Sequence, residues 1–348
     1  MKKFKLLAFI LALVLAIAPV TAFADGDEPQ AAGMDPTHLT FATEDEVNSI
    51  LYRQDEKAPT KETDYAVENG ELRLTVQDKG SSTGNPNMPD PMAYITIKDL
   101  SPEIKAEDYP YILLIYRMPK TNSTRDNAVQ IFCCTDGAMP GTQTVQPNAP
   151  TVADGKYQYT ILNPGAFNDT VPVPGVPDTY FYNWTGTITC LRLDYFIGFP
   201  YPVDNGDTMY VHDIIFCADE ASAKAQGKAI VADLSLPDEL TLSFVLGDHG
   251  TAIPDQTVKK GENPVVPDEP TSDDGYVFDG WYTTKTLNTP FSFDAPLTRE
   301  KTFVYAKWVL GYVVSFNCGE GEITNAPANQ TVKMNGRATE PDMPERDD

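Results

Sequence analysis

Histidine is nearly missing from this sequence: three in 348 residues, against 50 Asp and Glu. His38, His212 and His249 stand far apart, and spacing pairs none of them with a carboxylate. A Ser–His–Asp arrangement or a multi-histidine metal site therefore has little to draw on. The phosphate-cradling G-x-x-x-x-G-K-[ST], the dinucleotide fingerprint G-x-G-x-x-G and the H-E-x-x-H metal motif are all absent. "GSSTG" (Gly80 to Gly84) fits a nucleophile elbow only loosely. Its Ser82 sits in a Ser/Gly/Asn loop running into "NPNMPDP", not between a strand and a helix. Acidic residues are too plentiful for any two to mark a glycosidase acid and base. The expectation is a protein that is not an enzyme.

Positive charge is also scarce. With 26 Lys and Arg the formal net charge is −24. Such a chain is repelled by nucleic acid and by anionic lipid, which excludes both as partners. Cysteines are few and odd in number: Cys133, Cys134, Cys190, Cys217 and Cys318. No pair has zinc-ligand spacing, and a bridge between the adjacent Cys133 and Cys134 would be strained. Four lie in apolar runs, so buried free thiols are expected, with a Cys190–Cys217 bridge as the alternative.

Only one long hydrophobic run is present. It opens the chain, as "MKKFKLLAFILALVLAIAPVTAFADG". Lys2, Lys3 and Lys5 precede an apolar stretch from Leu6 to Ala18, and Ala22-Phe23-Ala24 supplies a small-residue cleavage site. This reads as an export signal (1–24) cut after Ala24, which implies a secreted or cell-surface protein with no membrane insertion after cleavage. Loss of the three lysines takes the charge from −24 to −27. Residues 25–37 are polar and Pro/Gly-rich, and read as a linker.

Helical periodicity is sparse, and strands and turns fill the gap. "ELRLTV", "MAYITI", "YPYILLIYRM", "AVQIFCC", "YQYTIL", "TYFYNW", "ITCLRLDYF" and "TMYVHDIIF" are β-branched and aromatic-rich, each bounded by Gly, Pro, Asn or Asp. The pattern predicts a two-sheet β-sandwich of jelly-roll type over residues 38–228, closed by one helix at Ala218–Lys228. A linker (229–240) follows. The fold class expected for the whole chain is all-β to α+β.

Two sites in the sandwich invite attention. In "TYFYNWTG", alternation places Tyr180, Tyr182 and Trp184 on one face, where the rings form either a sugar-stacking platform or core. The proline-rich "VPVPGVPD" beside them suggests a sheet edge near a surface, with Tyr201 as a further wall. "VDNGD" gathers Asp204, Asn205 and Asp207 around Gly206, oxygens able to take a structural calcium ion or to make a turn between two strands. No other cofactor is implied.

Three segments of this region, "GELRLTV", "DYPYILLIYRMP" and "WTGTITCLRLDYF…GDTMYVHDIIFCADEASAKA", resemble jelly-roll modules akin to carbohydrate-binding modules of exported bacterial proteins. The resemblance covers roughly residues 38–225 and implies glycan binding or an accessory role.

Beyond the second linker, residues 241–309 resemble a Listeria–Bacteroides repeat, the B-repeat of internalin-type surface proteins. The matching residues are Ser243-Phe244, Gln256-Thr257-Val258, Gly261, Pro267, Gly275-Tyr276, Phe278, Gly280-Trp281-Tyr282, Pro290-Phe291 and Tyr305-Ala306-Lys307-Trp308. "LGDHG" departs from the Asn/Gly-rich turn usual there. The resemblance implies a small β-grasp-like domain. So small a domain needs its large rings inside, which makes Trp281 and its neighbours core and not a ligand platform.

Internal repetition supports this independently. Ser243-Phe244 recurs as Ser315-Phe316, 72 residues on, and "QTVK" at 256–259 recurs at 330–333, 74 on. Residues 312–348 then read as a truncated second B-repeat lacking its aromatic strands, and the sequence as a piece of a longer one. Three functions remain open. The sandwich binds a glycan or a host or cell-wall surface while the repeats project it; or both parts are structural spacers; or the chain is an accessory piece of a larger exported glycoside hydrolase.

Overall fold

The alternating runs become two sheets in the computed structural model, which describes residues 34–51, 63–77, 91–123, 126–136, 145–169, 183–197, 203–319 and 323–346. The export signal and most of the first linker lie outside these residues. The chain divides into two compact units, one of residues up to 154 with 160–223, the other of 155–159 with 224–348.

In the first unit the order is β1 (His38–Thr40), α1 (Glu44–Ile50), β2 (Thr63–Glu68), β3 (Glu71–Val76), β4 (Met92–Thr96), β5 (Tyr111–Arg117), β6 (Asp126–Thr135), β7 (Asn148–Val152), β8 (Tyr157–Leu162), β9 (Ile188–Asp194) and β10 (Thr208–Cys217). One sheet runs β2-β3-β10-β5-β8 with β1 also on β10, and the other runs β4-β9-β6-β7. Inward residues of both sheets share one core, among them Leu72, Leu74, Ile112, Leu114, Val129, Ile131, Leu191 and Leu193. This is the expected β-sandwich.

Three local outcomes differ from the sequence reading. Helix α1 forms where none was expected. Thr43 accepts the Glu46 amide at 3.2 Å while Glu46 Oε2 accepts the amides of Ala42 and Thr43, a capping box that the "TEDE" spacing contains. Strand β7 forms despite Pro150, because it is the edge of its sheet and a missing N–H there costs no ladder bond. The closing helix, α2 (Glu220–Leu234), runs on through "AIVADL" into the expected linker. Those residues include good helix formers, and the next proline is Pro237.

The second unit contains β11 (Glu239–Val245), β12 (Gln256–Lys259), β13 (Tyr276–Tyr282), β14 (Lys301–Val314), β15 (Ile323–Thr324), β16 (Gln330–Lys333) and β17 (Glu345–Arg346). The sheet order is β12-β11-β14-β13, with β11 and β14 parallel at its centre and β16 also on β14. Trp281 is buried with its ring 5.0 Å from Phe244 and 5.1 Å from Phe278. Trp308 packs on the same core, and its indole N–H donates to Leu246 O at 2.8 Å. The rings are scaffold.

The repetition seen in the sequence is copied in the backbone. Thr241 pairs with Thr257 and Leu242 with Gln256; correspondingly, Val313 pairs with Thr331 and Val314 with Gln330. Gln256 exchanges two hydrogen bonds with the Val265 backbone, and Gln330 makes the same pair with Thr339. Gly261 turns at φ +83°, and its counterpart Asn335 at +65°, a conformation that Gly and Asn adopt most readily. Strand β14 therefore ends one repeat and begins the next set of elements.

Candidate functional site

Alternation along β4, β6, β7 and β9 sends every second side chain out of the sandwich. Register then aligns them in rows across the four-stranded sheet. Met92, Asp194, Gln130 and Asn148 form one row; Tyr94, Arg192 and Phe132 the next; Thr96, Cys190 and Cys134 the third.

Arg192 is the centre of this face. Its Nε donates to Asp194 Oδ1 at 2.7 Å and its Nη2 to Oδ2 at 2.6 Å, a two-pronged pairing that fixes the guanidinium plane. The guanidinium lies over the Phe132 ring, 4.1 Å from its centre, and gains a cation–π attraction there. Tyr94 stands opposite Arg192 on the other flank. Gln130 is half-buried with its amide N–H on Gln146 O at 3.4 Å, while Asn148 is exposed. Phe132 and Asp194 are themselves buried and hold Arg192 in place, so the solvent side of the face presents the half-buried Tyr94 ring beside guanidinium and amide groups. Such a surface can stack the C–H face of a sugar and hydrogen-bond its hydroxyls.

The residues singled out in the sequence fare differently. Tyr180, Tyr182 and Tyr201 lie outside the described residues. Trp184 is fully buried in the sandwich core, and its indole N–H donates to Tyr109 O at 2.8 Å. It cannot be a sugar platform, because no face of the ring reaches solvent. Asp207 is likewise turned inward. One oxygen accepts the Ser123 amide at 2.7 Å, and the other accepts the Asp204 amide at 2.9 Å and the Ser123 hydroxyl. With its lone pairs committed to chain donors, Asp207 latches the turn and is not available to calcium, while Asp204 and Asn205 remain on the exposed turn. Among the described residues no three His, Cys, Asp or Glu side chains group as a metal site. The alternative Cys190–Cys217 bridge is not formed either: Cys190 faces Cys134 across β6 and β9, and Cys217 ends β10 in the other sheet.

Spacing hid the histidines' partners. His38 Nε2 and His212 Nδ1 both bond the buried Asp213 carboxylate, at 2.8 and 2.7 Å. Burial opposes the charge on Asp213, but the bonds from His212 and His38 outweigh it and hold its pKa below the ordinary carboxylate value. His249 Nδ1 bonds Asp274 Oδ2 at 2.6 Å, and the Ser272 hydroxyl donates to Oδ1 of the same carboxylate. In each cluster the carboxylate stands in the middle, so these contacts set no imidazole against a hydroxyl as a general base would be.

The fold and this face define a mostly β, two-sheet module followed by a second, smaller β unit. Residues 241–307 match the Listeria-Bacteroides repeat domain. Among solved structures, the chain is similar to a carbohydrate-binding module described as recognising mannan, at 11% identity over 51% of this chain and 94% of that one, with a TM-score of 0.28. A family 29 carbohydrate-binding module complexed with mannohexaose gives 10% identity over 48% and 88%, with a TM-score of 0.26. A family 11 module from Clostridium thermocellum, in complex with a β-1,3-1,4-mixed-linked tetrasaccharide, gives 7% over 48% and 95%, with a TM-score of 0.28. No protein of curated function matches the chain. Among the described residues no helix is long and apolar enough to cross a membrane.

Proposed function

We propose that the chain is an exported bacterial surface or secreted protein, without catalytic activity, whose sandwich binds a glycan on the outward face of its four-stranded sheet. The observation that carries this reading is the Tyr94–Arg192–Phe132 row, a guanidinium locked by Asp194 and stacked on a ring, with amide side chains in the adjoining row. The ligand is a glycan of a host or cell-wall surface, and the repeats hold the sandwich away from its attachment. Affinity gel electrophoresis of the full chain in plant, mucin and cell-wall polysaccharides tests this. Retention should be lost in Tyr94→Ala and weakened in Gln130→Ala, with melting little changed and little dependence on salt, since stacking is not screened. Salt-sensitive retention would indicate a basic partner of the acidic surface instead. No retention on any polysaccharide would refute the proposal.

A second reading has its own support. The sharing of β14 between successive repeats suits a chain used as a spacer. An accessory place beside a glycoside hydrolase is the remaining alternative, and a catalytic domain encoded in the same gene would favour it.

A further inference from the structure

The third row of the same face carries two thiols. Cys134 on β6 lies directly opposite Cys190 on β9. The amides of Ile131 and Cys133 bond to Pro147 O and Val145 O, at 3.0 and 2.9 Å, so those of Phe132 and Cys134 turn toward β9. The Ile97 amide takes Thr189 O at 2.9 Å, so the backbone of Cys190 turns toward β6. The two cysteines are therefore a hydrogen-bonded antiparallel pair, whose Cα atoms stand about 5.5 Å apart. A disulfide spans about 4.4–6.8 Å.

Alternation puts both sulfurs on the outward side, where the Cys134 thiol also reaches Phe132 O at 3.9 Å. Cys133 points the other way, into the core, and Cys217 ends a strand of the other sheet. The pair is also asymmetric. Cys134 is fully buried, whereas Cys190 is only partly buried. The proximity of the two thiols lowers the pKa of Cys190 and, together with burial, raises that of Cys134. Cys190 is then the sulfur that an oxidant meets, and Cys134 the one that resolves the adduct.

We propose that Cys134 and Cys190 are a redox modification site, closing a reversible cross-strand disulfide by exchange with a small or protein disulfide. The Cys190 thiolate attacks one sulfur of the oxidant R–S–S–R, forming a mixed disulfide and expelling R–S⁻. Cys134 loses its proton and attacks Cys190 Sγ, breaking the mixed disulfide and expelling the second R–S⁻. Two electrons pass from the cysteine pair to the oxidant, and the two protons end on the two released thiols. Partial exposure of Cys190 leaves the bridge open to the reverse exchange. The bridge stands one row from Arg192 and Phe132, and so braces the face proposed to hold the glycan. The site itself does not depend on that reading.

The test uses the full chain carrying Cys318→Ser, which leaves four of the five cysteines. After reduction and treatment with glutathione disulfide, thiols counted in denaturant should fall from four to two. Peptide mapping should join Cys134 to Cys190. Melting should rise by about 5–10 °C and return on adding dithiothreitol. Cys134→Ala should instead stop at one glutathione held on Cys190, and Cys190→Ser should keep its remaining thiols. Four thiols surviving oxidation, or a map joining any other pair, would overturn the proposal.

Discussion

Trp184 separates a core residue from a sugar platform by a large margin of energy. The ring is fully buried and its N–H is spent on Tyr109 O. Burying about 200 Å² of indole is worth about 5 kcal/mol at about 25 cal/mol per Å². Measured Trp or Phe to Ala changes in cores cost about 3–5 kcal/mol, and the lost hydrogen bond adds about 1 kcal/mol. A domain has about 5–15 kcal/mol in all, so Trp184→Ala should bring the sandwich near the edge of folding. Its melting should fall by about 10–20 °C. Trp184→Phe keeps most of the apolar contact but orphans the Tyr109 carbonyl, and should cost about 2 kcal/mol. Circular dichroism of the full chain follows the whole fold. In either variant the remaining fluorescence comes from Trp281 and Trp308, both in the other unit, and should melt as in the parent chain. An Ala variant with unchanged melting and lost polysaccharide retention would refute the reasoning, because only an exposed ring behaves that way.

Three further expectations follow from the same contacts. Trp281→Ala should unfold the repeat unit, at a cost of about 3–5 kcal/mol, and leave the circular dichroism transition of the sandwich in place; survival of the repeat would show the Phe244 and Phe278 contacts to be dispensable. Asp207→Ala strands the Ser123 and Asp204 amides and should cost about 2 kcal/mol in a urea titration, with parent-chain melting indifferent to added calcium; a calcium-dependent rise would restore the metal reading. Asp213 keeps its charge in the fold at pH values where an unfolded aspartate, near a pKa of about 3.9, takes up a proton. Its contribution is therefore complete above the unfolded value and lost as pH falls through the folded one, so the urea midpoint should drop on acidification below about pH 4, and less steeply in Asp213→Asn.

What the sequence shows and what it hides divide along a physical line. Alternation within a strand is a local property, so "ITCLRLDYF" already puts Cys190, Arg192 and Asp194 on one side. Register between strands far apart in the chain is not local. Nothing in the spacing says that Phe132 will meet Arg192 or that Cys134 will meet Cys190. His38 and Asp213 are brought together in the same way, by the pairing of Thr40 with Asp213 across 173 positions. Trp184 misled for a related reason: period two was extended to a residue that stands in a bend, where alternation has no force. The repeat was legible because like residues recur at a nearly fixed offset, and its clamp, Gln256 on Val265, depends on residues only nine apart.

A strand held in common changes how the two halves of the repeat array can fail. Residues 301–310 of β14 are laced to β11 and β13, and residues 311–314 to β16, with no linker between. Asp279 on β13 grips Lys307 of β14 and Lys333 of β16 at 2.9 Å each, which stitches the seam from the side. At the junction itself Gly311 leaves no room for a side chain: an added Cβ would meet Thr331 Cγ2 at 2.4 Å and Gly275 O at 2.9 Å. Damage at that point cannot stay in one module. Unfolding passes to the neighbour as in a one-dimensional chain of coupled spins, and the melting of each repeat becomes a property of the array it stands in.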